Sequence, residues 1–176
     1  MTAIVAVKHN GHVWMGGDSA FISGWDVEAI PDEKVFFVGE ILFGVAGSPR
    51  TVGLLRYHLK FPDPQTDDLR EYITTSLVDA LRGLFNEKGH ATKSDEQEQF
   101  PSAILVSYGG RLFMIDSDYQ VLEIPDYTAI GSGGTVALGA LAATVGKSPA
   151  KRVQIALEAA AKHNIAVRGP FQVVKQ

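Results

Sequence analysis

The chain begins with two short apolar segments joined by a turn signal. Thr2–Lys8 holds a run of apolar residues that do not alternate with polar ones, which predicts a strand buried on both faces. Asn10-Gly11 favours a two-residue hairpin turn, because a type I′ turn needs a positive φ at both positions. Val13–Met15 then returns as the second strand. This hairpin places Asp18 opposite Ala3, one residue from the start of the first strand.

The register of this hairpin bears on which side chains share a face. Simple alternation puts the side chains of Thr2 and Asp18 on opposite faces of the sheet. A bulge at Gly16-Gly17 would bring them to the same face. A second hairpin follows, formed by Lys34–Val38 and Ile41–Ala46 around a Gly-Glu turn.

Two helices are predicted next. The first covers about residues 49–60 and has a proline in its first turn. The second covers about residues 67–87, where apolar residues recur at three- and four-residue spacing and form one stripe. The segments 21–32 and 90–100 show no such period, so both are predicted to be irregular loops.

The second half of the chain repeats the order of strands and then helices. Ser102–Tyr108 and Arg111–Asp116 form a hairpin around Gly109-Gly110, and two further strands are predicted to extend the same sheet. The remaining predicted elements are the strands Tyr119–Glu123 and Tyr127–Ile130, the helices Thr135–Val145 and Pro149–His163, and a closing strand at Phe171–Val174. Elements in blocks favour antiparallel sheets layered with helix pairs, an α+β fold, and residues 1–176 are expected to form one domain.

Composition narrows the classes of function. The 176 residues carry a net charge of −4, so the chain lacks the basic face of a nucleic-acid-binding protein. It has no cysteine, which excludes disulfides and a cysteine nucleophile, and its five histidines show no metal-ligand spacing. No apolar run reaches the ~18 residues of a transmembrane helix, and the features of a signal peptide are absent. We therefore expect a cytoplasmic protein with no metal and no cofactor.

Thr2 is the first candidate for catalysis. A threonine hydroxyl is a weak nucleophile unless a base lies beside it, and an N-terminal threonine carries its own base, the free α-amino group. That amine has an ordinary pKa of roughly 7.7–8.0, so a useful fraction is neutral near pH 7. Met1 must be removed before Thr2 can act in this way. Taken alone, a Met-Thr start also arises by chance.

Asp18 and Lys34 are the charged candidates. Asp18 ends the second strand, where a carboxylate also occurs simply as a turn residue. Lys34 lies opposite Val45 at the mouth of an apolar strand, where it can lower nearby pKa values and pair with Asp18. The alternative for Lys34 is a solvated lysine at a strand end.

Two glycine-containing turns are candidates for stabilising charge. The backbone at Gly47 can present an N–H to the oxyanion of acyl transfer, although a glycine also simply ends strands. Gly131–Gly134 lies between a strand and a helix, where such a loop can cradle an anion at the helix N-terminus, although Ser132 can equally be a helix cap. This segment lacks the lysine and hydroxyl that end a P-loop, and no P-loop motif occurs elsewhere in the chain.

Five segments together carry a family resemblance. Thr2–Val13 and the following Gly16–Asp18 resemble the opening of HslV, the bacterial peptidase related to proteasome β subunits. Lys34-Val35 falls where that family keeps its catalytic lysine, Val45–Gly47 resembles the glycine turn of its oxyanion hole, and Ala129–Gly134 looks like its serine-bearing turn. Each motif alone is weak, but the five occur in order at near-identical spacing and span most of the chain.

The resemblance implies a threonine peptidase with the four-layer αββα sandwich of the N-terminal nucleophile hydrolases. It implies that Thr2 is the nucleophile and its amine the base, that Asp18 and Lys34 tune that base, that Gly47 gives the oxyanion hole, and that Ser132 assists the amine. It further implies a homo-oligomer of two stacked hexameric rings, a dodecamer. Because the chain has no P-loop, unfolded polypeptide would be delivered by a separate AAA+ unfoldase of the HslU type.

Ala161–Gly169 departs from the resemblance. This segment does not clearly supply the aspartate and hydroxyl found near the site in proteasome β subunits, and it does not match the cation-binding loop of HslV well. Whether a cation binds there stays open. Two other functions also stay open: a non-catalytic ring subunit that kept the fold, and an amidase of the same superfamily that acts on a small molecule.

Overall fold

The computed structural model describes residues 2–24, 26–30, 32–62, 66–94 and 97–176, so the prediction for Met1 lies outside the described residues. The strands are β1 (Ile4–His9), β2 (His12–Gly17), β3 (Ala20–Ser23), β4 (Asp26–Ala29), β5 (Val35–Val38), β6 (Ile41–Gly47), β7 (Thr92–Ser94), β8 (Gln97–Gln99), β9 (Ser102–Tyr108), β10 (Arg111–Ile115), β11 (Val121–Ile124), β12 (Tyr127–Ile130) and β13 (Gln172–Lys175). The helices are α1 (Pro49–His58), α2 (Leu69–Tyr72), α3 (Val78–Glu87), α4 (Gly134–Ala143) and α5 (Pro149–His163). A π-helical segment, Ile73–Leu77, joins α2 to α3.

Two antiparallel sheets form the centre of the fold. The first has the strand order β12-β1-β2-β13, and the second has the order β11-β10-β9-β6-β5. β1 therefore lies inside the first sheet and β6 inside the second. The short hairpins β3–β4 and β7–β8 form two separate two-stranded sheets.

Three apolar clusters separate four layers. The first cluster joins Val5 and Val7 of β1 to α4 and α5. The second joins Ile4 and Ala6, on the other face of β1, to the second sheet. The third joins the second sheet, including Phe43, to α1 and the α2–α3 helix. Helices, sheet, sheet and helices follow in that order, which confirms the four-layer αββα sandwich and explains why the apolar residues of β1 do not alternate with polar ones.

The first two predicted hairpins form with the predicted registers. Asn10 has a φ of 48° and Gly11 a φ of 72°, as a type I′ turn requires. The ladder then runs regularly to the pair of Ile4 with Gly17, so no bulge interrupts it. In the second hairpin Val45 lies opposite Lys34, and its N–H donates to the Lys34 carbonyl at 2.9 Å.

Three predictions about the remaining segments are wrong. Ala20–Ser23 and Asp26–Ala29 pair as the β3–β4 hairpin, where an irregular segment was predicted. Thr92–Ser94 and Gln97–Gln99 pair as β7 and β8 between two buried residues, His90 and Phe100, where a loop was predicted. β12 does not extend the second sheet, because it pairs with β1 in the first sheet, where Ile130 lies opposite Ile4.

Candidate active site

Thr2 lies just before β1, in a socket made by the turn that precedes α4. The Thr2 backbone nitrogen donates to the Ser132 hydroxyl at 3.2 Å. The Gly133 N–H donates to the Thr2 carbonyl at 3.1 Å. Gly131 has a φ of 90°, and a Cβ there would lie 2.3 Å from the Thr2 carbonyl oxygen. The turn therefore needs a glycine at this position to approach Thr2 so closely.

Asp18 follows β2 directly, and its side chain returns toward the start of β1. Its Oδ1 accepts the Ala3 N–H at 3.0 Å, and its Oδ2 accepts the Ala20 N–H at 3.0 Å. The carboxylate side chain is fully buried. The proposed bulge is therefore unnecessary, because Asp18 lies beyond the last ladder pair of β2 and reaches the backbone next to Thr2 directly.

Lys34 completes this polar group from the neighbouring sheet. Its Nζ donates to Asp18 Oδ1 at 2.9 Å and to the Ala20 carbonyl at 2.8 Å, and its side chain is only 12% exposed. Burial lowers the pKa of the Lys34 ammonium, and the adjacent Asp18 carboxylate opposes part of that shift. The alternative of a solvated lysine at a strand end is thus not what the structure shows.

Thr2, Lys34 and Gly47 line one cavity of about 240 Å³. Gly47 ends β6 with a φ of 136°, and a Cβ there would lie 2.4 Å from the Pro101 carbonyl oxygen, so only glycine fits the turn. The other described residues around the cavity are Ala20, Phe21, Ile22, Ile30, Asp32, Glu33, Val45, Ser48, Pro49, Val52, Gly53, Arg56 and Tyr57. Thr2, the largely buried Lys34 and a glycine backbone in a conformation that other residues rarely adopt therefore border the same space.

Two solved proteins are similar over nearly the whole chain. BPH from Thiobacillus denitrificans, solved alone and in complex with epoxomicin, has a TM-score of 0.83 and 20% sequence identity, covering 99% of this chain and 97% of that chain. Eukaryotic HslV from Trypanosoma brucei has a TM-score of 0.70 and 21% identity, covering 98% of each chain. The chain has the HslV fold. No protein-family model matches the sequence.

Within this HslV fold, all five predicted site residues gather around the start of β1. Ser132 contacts the nitrogen of Thr2, Asp18 contacts the next backbone N–H, Lys34 contacts Asp18, and Gly47 borders the cavity beside Thr2. These contacts are consistent with the roles that the resemblance implies for them.

One residue that contacts the serine-bearing turn, Asn164, was not predicted from the sequence. The Asn164 side-chain amide donates from Nδ2 to the Ser132 backbone carbonyl at 2.8 Å. Its Oδ1 accepts the Ala166 N–H at 2.9 Å. Asn164 directly follows α5, so from sequence alone it looks like an ordinary residue at the end of a helix. It lies within Ala161–Gly169, the segment that departs from the resemblance.

Neither a metal site nor a membrane span emerges from the described residues. Nowhere in residues 2–24, 26–30, 32–62, 66–94 and 97–176 do three or more histidines, aspartates or glutamates lie in a group able to hold a metal ion. The helices within these same ranges are all too short or too polar to cross a bilayer. Near Thr2, both oxygens of the Asp18 carboxylate already accept hydrogen bonds from the protein.

Proposed function

We propose that the chain is a threonine-type endopeptidase subunit that hydrolyses peptide bonds of unfolded polypeptides with Thr2. One observation carries this proposal. The nitrogen of Thr2 lies in hydrogen-bonding contact with Ser132, beside a buried Lys34–Asp18 pair, at the wall of an open cavity. After removal of Met1 that nitrogen is an α-amine, and Thr2 then holds both a nucleophile and its base.

The proposed reaction has two steps that share the amine. In the first, the amine takes the proton of the Thr2 hydroxyl while Oγ1 attacks the peptide carbonyl carbon. The carbon–nitrogen bond then breaks, and the leaving amine takes the proton from the α-ammonium, which leaves an acyl ester on Thr2. In the second, the amine takes a proton from water, the hydroxide attacks the ester, and the proton returns to Oγ1 as the acid departs.

The charged pair would favour the neutral form of the amine. The Lys34 ammonium is a buried positive charge, and a positive charge nearby disfavours a second one on the Thr2 amine. Asp18 holds Lys34 in place and also fixes the backbone next to Thr2 through the Ala3 N–H. Ser132 would orient the amine and help move its proton, since its hydroxyl both accepts from and donates to Thr2 atoms.

Gly47 would supply the oxyanion hole. Its backbone borders the cavity beside Thr2, and its φ of 136° sets a conformation that side-chain-bearing residues rarely adopt. A preorganised backbone N–H aimed at the developing charge is commonly worth about 10²–10³ in rate.

Assembly is a second part of the proposal. We propose two stacked rings, most simply hexameric, that enclose the sites, and a separate AAA+ unfoldase that delivers substrates in the cytoplasm. The similarity to HslV from Trypanosoma brucei supports this choice. Within the subunit, Ala137 and Leu141 of α4 are used for packing on α5 and the first sheet, whereas Leu138 and Val145 remain exposed. Light scattering at micromolar concentration tests this part, and an active species of about 19 kDa would refute the enclosed chamber.

Peptide hydrolysis by the purified chain, combined with the mass of its N-terminus, tests the proposed function. We expect loss of Met1 and cleavage of fluorogenic peptides. An intact Met1 in native material together with no cleavage would favour the non-catalytic ring subunit. Cleavage of small amides but not of peptides, by a protein that forms no ring, would favour the amidase.

A further inference from the structure

A buried chain of polar side chains lies behind the turn that Gly47 and Ser48 form. The Ser48 N–H donates to two acceptors at 3.0 Å each, the Pro101 carbonyl and the Ser102 hydroxyl. The Ser102 hydroxyl lies 2.7 Å from the Thr51 hydroxyl, which lies 2.8 Å from Nε2 of His90. All three side chains belong to buried residues, and none of them lines the cavity.

One arrangement of the hydrogens satisfies all of these contacts at once. Ser102 donates to the Pro101 carbonyl at 2.7 Å, so its hydroxyl hydrogen is used there and its oxygen accepts from Thr51. The Thr51 oxygen must then accept from His90, whose Nε2 carries a hydrogen. Every donor has an acceptor in this arrangement, and the donors run from the imidazole to the turn. The opposite direction would take the hydrogen of Ser102 away from the Pro101 carbonyl.

The three hydrogen-bonded side chains come from three separate elements of the fold. Thr51 lies in the first turn of α1, Ser102 begins β9, and His90 follows α3. His90 is held in turn: its backbone N–H donates to the Phe85 carbonyl at 2.7 Å, and its imidazole packs edge to face on the Phe85 ring. The hydrogen bonds therefore tie the turn after β6 to the helix layer and to the neighbouring strand.

We propose that Thr51, Ser102 and His90 are positioning residues that hold the Gly47–Ser48 turn in the geometry the oxyanion requires. This inference rests on the proposed function, in which the backbone of that turn faces the reacting carbonyl. None of these three side chains lines the cavity, so their role is indirect. The hydrogen bonds to the Ser48 N–H fix the plane of the Gly47–Ser48 peptide against the start of β9. This anchors Gly47 from its C-terminal side, and the N–H of Gly47 itself, in the preceding peptide, is the one that faces the oxyanion in the proposed function. Small displacements matter here, since a shift of about 1 Å at a reacting group can cost on the order of 100-fold in rate.

Inactivation by a peptide epoxyketone, resolved into its binding constant KI and its chemical rate kinact, tests the inference. Thr51→Val removes one hydroxyl with little change in shape, and Ser102→Ala removes the next. We expect each to lower kinact about tenfold or more with KI unchanged, because only the charged intermediate uses the turn. His90→Gln should retain kinact within about threefold of the wild type, because a glutamine amide can supply the N–H that Nε2 supplies.

Ser107→Ala is the matched control. Ser107 lies on the same strand as Ser102, is fully buried, and donates to the side chain of Gln176. It lies five residues along the strand, about 17 Å from Ser102 at the usual rise. We expect Ser107→Ala to lower the melting temperature as Ser102→Ala does, and to leave kinact unchanged.

Amide hydrogen exchange in the segment 47–50 gives a readout independent of reactivity. We expect faster exchange there in Thr51→Val and Ser102→Ala than in Ser107→Ala. Equal kinact values and equal exchange in Thr51→Val and the Ser107→Ala control would overturn the inference, as would a rise in KI at constant kinact. If the wild type does not react at all, the proposed function fails, and the exchange data alone then decide whether the polar chain holds the turn.

Discussion

Two buried polar groups flank the end of β6, and they differ in charge and in access. On the β5 side, Lys34 pairs with Asp18 next to the cavity. On the β9 side, Ser102 bonds to Thr51, and His90 closes the chain away from the cavity. The first group brings charge to the place where the proposed reaction exchanges protons. The second is an uncharged chain of hydrogen bonds that is proposed to fix a backbone turn. On one side of β6 the polar group is thus proposed to assist proton transfer, and on the other side to position the backbone.

This difference in charge also sets the free energy that is needed to bury each group. A buried ion pair repays its desolvation only with good geometry and further hydrogen bonds, whereas a buried hydroxyl needs little more than a partner. Lys34 and Asp18 meet that demand through the Ala20 carbonyl and through the Ala3 and Ala20 N–H groups. We therefore expect changes in the charged group to cost more activity than changes in the neutral one.

The largest effect should come from Thr2 itself, which the charged group is proposed to serve. Thr2→Ala removes the nucleophile and should lower peptide hydrolysis by at least about 10³-fold without loss of the fold. Thr2→Ser should retain part of the activity, because serine keeps both the hydroxyl and the amine. Circular dichroism checks the fold in both variants. Full activity in Thr2→Ala would contradict Thr2 as the nucleophile, and with it the catalytic role proposed for Lys34 and Asp18.

Lys34→Met should have the next largest effect. Losing the ammonium should lower kcat by about 10²-fold or more, the scale expected for a group that assists proton transfer. The variant should also be less stable, because the Asp18 carboxylate is left buried without its counter-charge. Breaking such a pair typically costs ~3–5 kcal/mol, and the two N–H donors that Asp18 keeps should reduce the loss. Normal specific activity with a lower melting temperature would instead make Lys34 structural.

The alkaline pH dependence of stability should reveal the same lysine. Folding lowers the Lys34 pKa from its ordinary value of 10.5, so the unfolded chain binds more protons between the folded pKa and 10.5. The lysine's contribution to the free energy of unfolding therefore increases as the pH rises through that window. Urea titrations of wild type and Lys34→Met should diverge in this way, and parallel pH profiles would contradict the assigned burial.

His90 should give a smaller effect in a lower pH window. Burial, together with the nearby Arg50 cation, lowers the His90 pKa from its ordinary value of 6.5. The unfolded chain therefore binds more protons between the folded pKa and 6.5, and the stability contributed by the neutral imidazole is lost as the pH falls through that window. His90→Gln should lack this acid-dependent loss. An identical slope in the two proteins below pH 6.5 would mean that other groups cause it.

The features that depend on residues close together in sequence, such as hairpin turns and their registers, were predicted correctly. Asn10-Gly11 set the turn of the first hairpin, and with it the positions of Asp18 and Ala3, because turn chemistry fixes the strand register. The partner of β12 was not predictable in the same way. Ile130 pairs with Ile4 across most of the chain length, and an apolar strand carries no local signal for the sheet it joins.

The same distinction between local and long-range signals applies to the candidate site. Thr2, Lys34 and Ser132 were found because their motifs resemble a known family. Thr51 and His90 were not, since they lie 39 residues apart and each has an ordinary local setting. Their contact exists only because α1 and the end of α3 pack on the same sheet. No pattern within either segment indicates the other.

Covalent trapping with epoxomicin tests the central claim most directly, namely that Thr2 acts through its hydroxyl and its free amine. An epoxyketone forms bonds to both groups, so the reaction requires removal of Met1 as well as a reactive hydroxyl. Mass spectrometry of the digested protein should show one adduct on an N-terminal peptide that begins at Thr2, and no adduct in Thr2→Ala. Protein that has lost Met1 yet remains unmodified, or an adduct on any other residue, would contradict the claim.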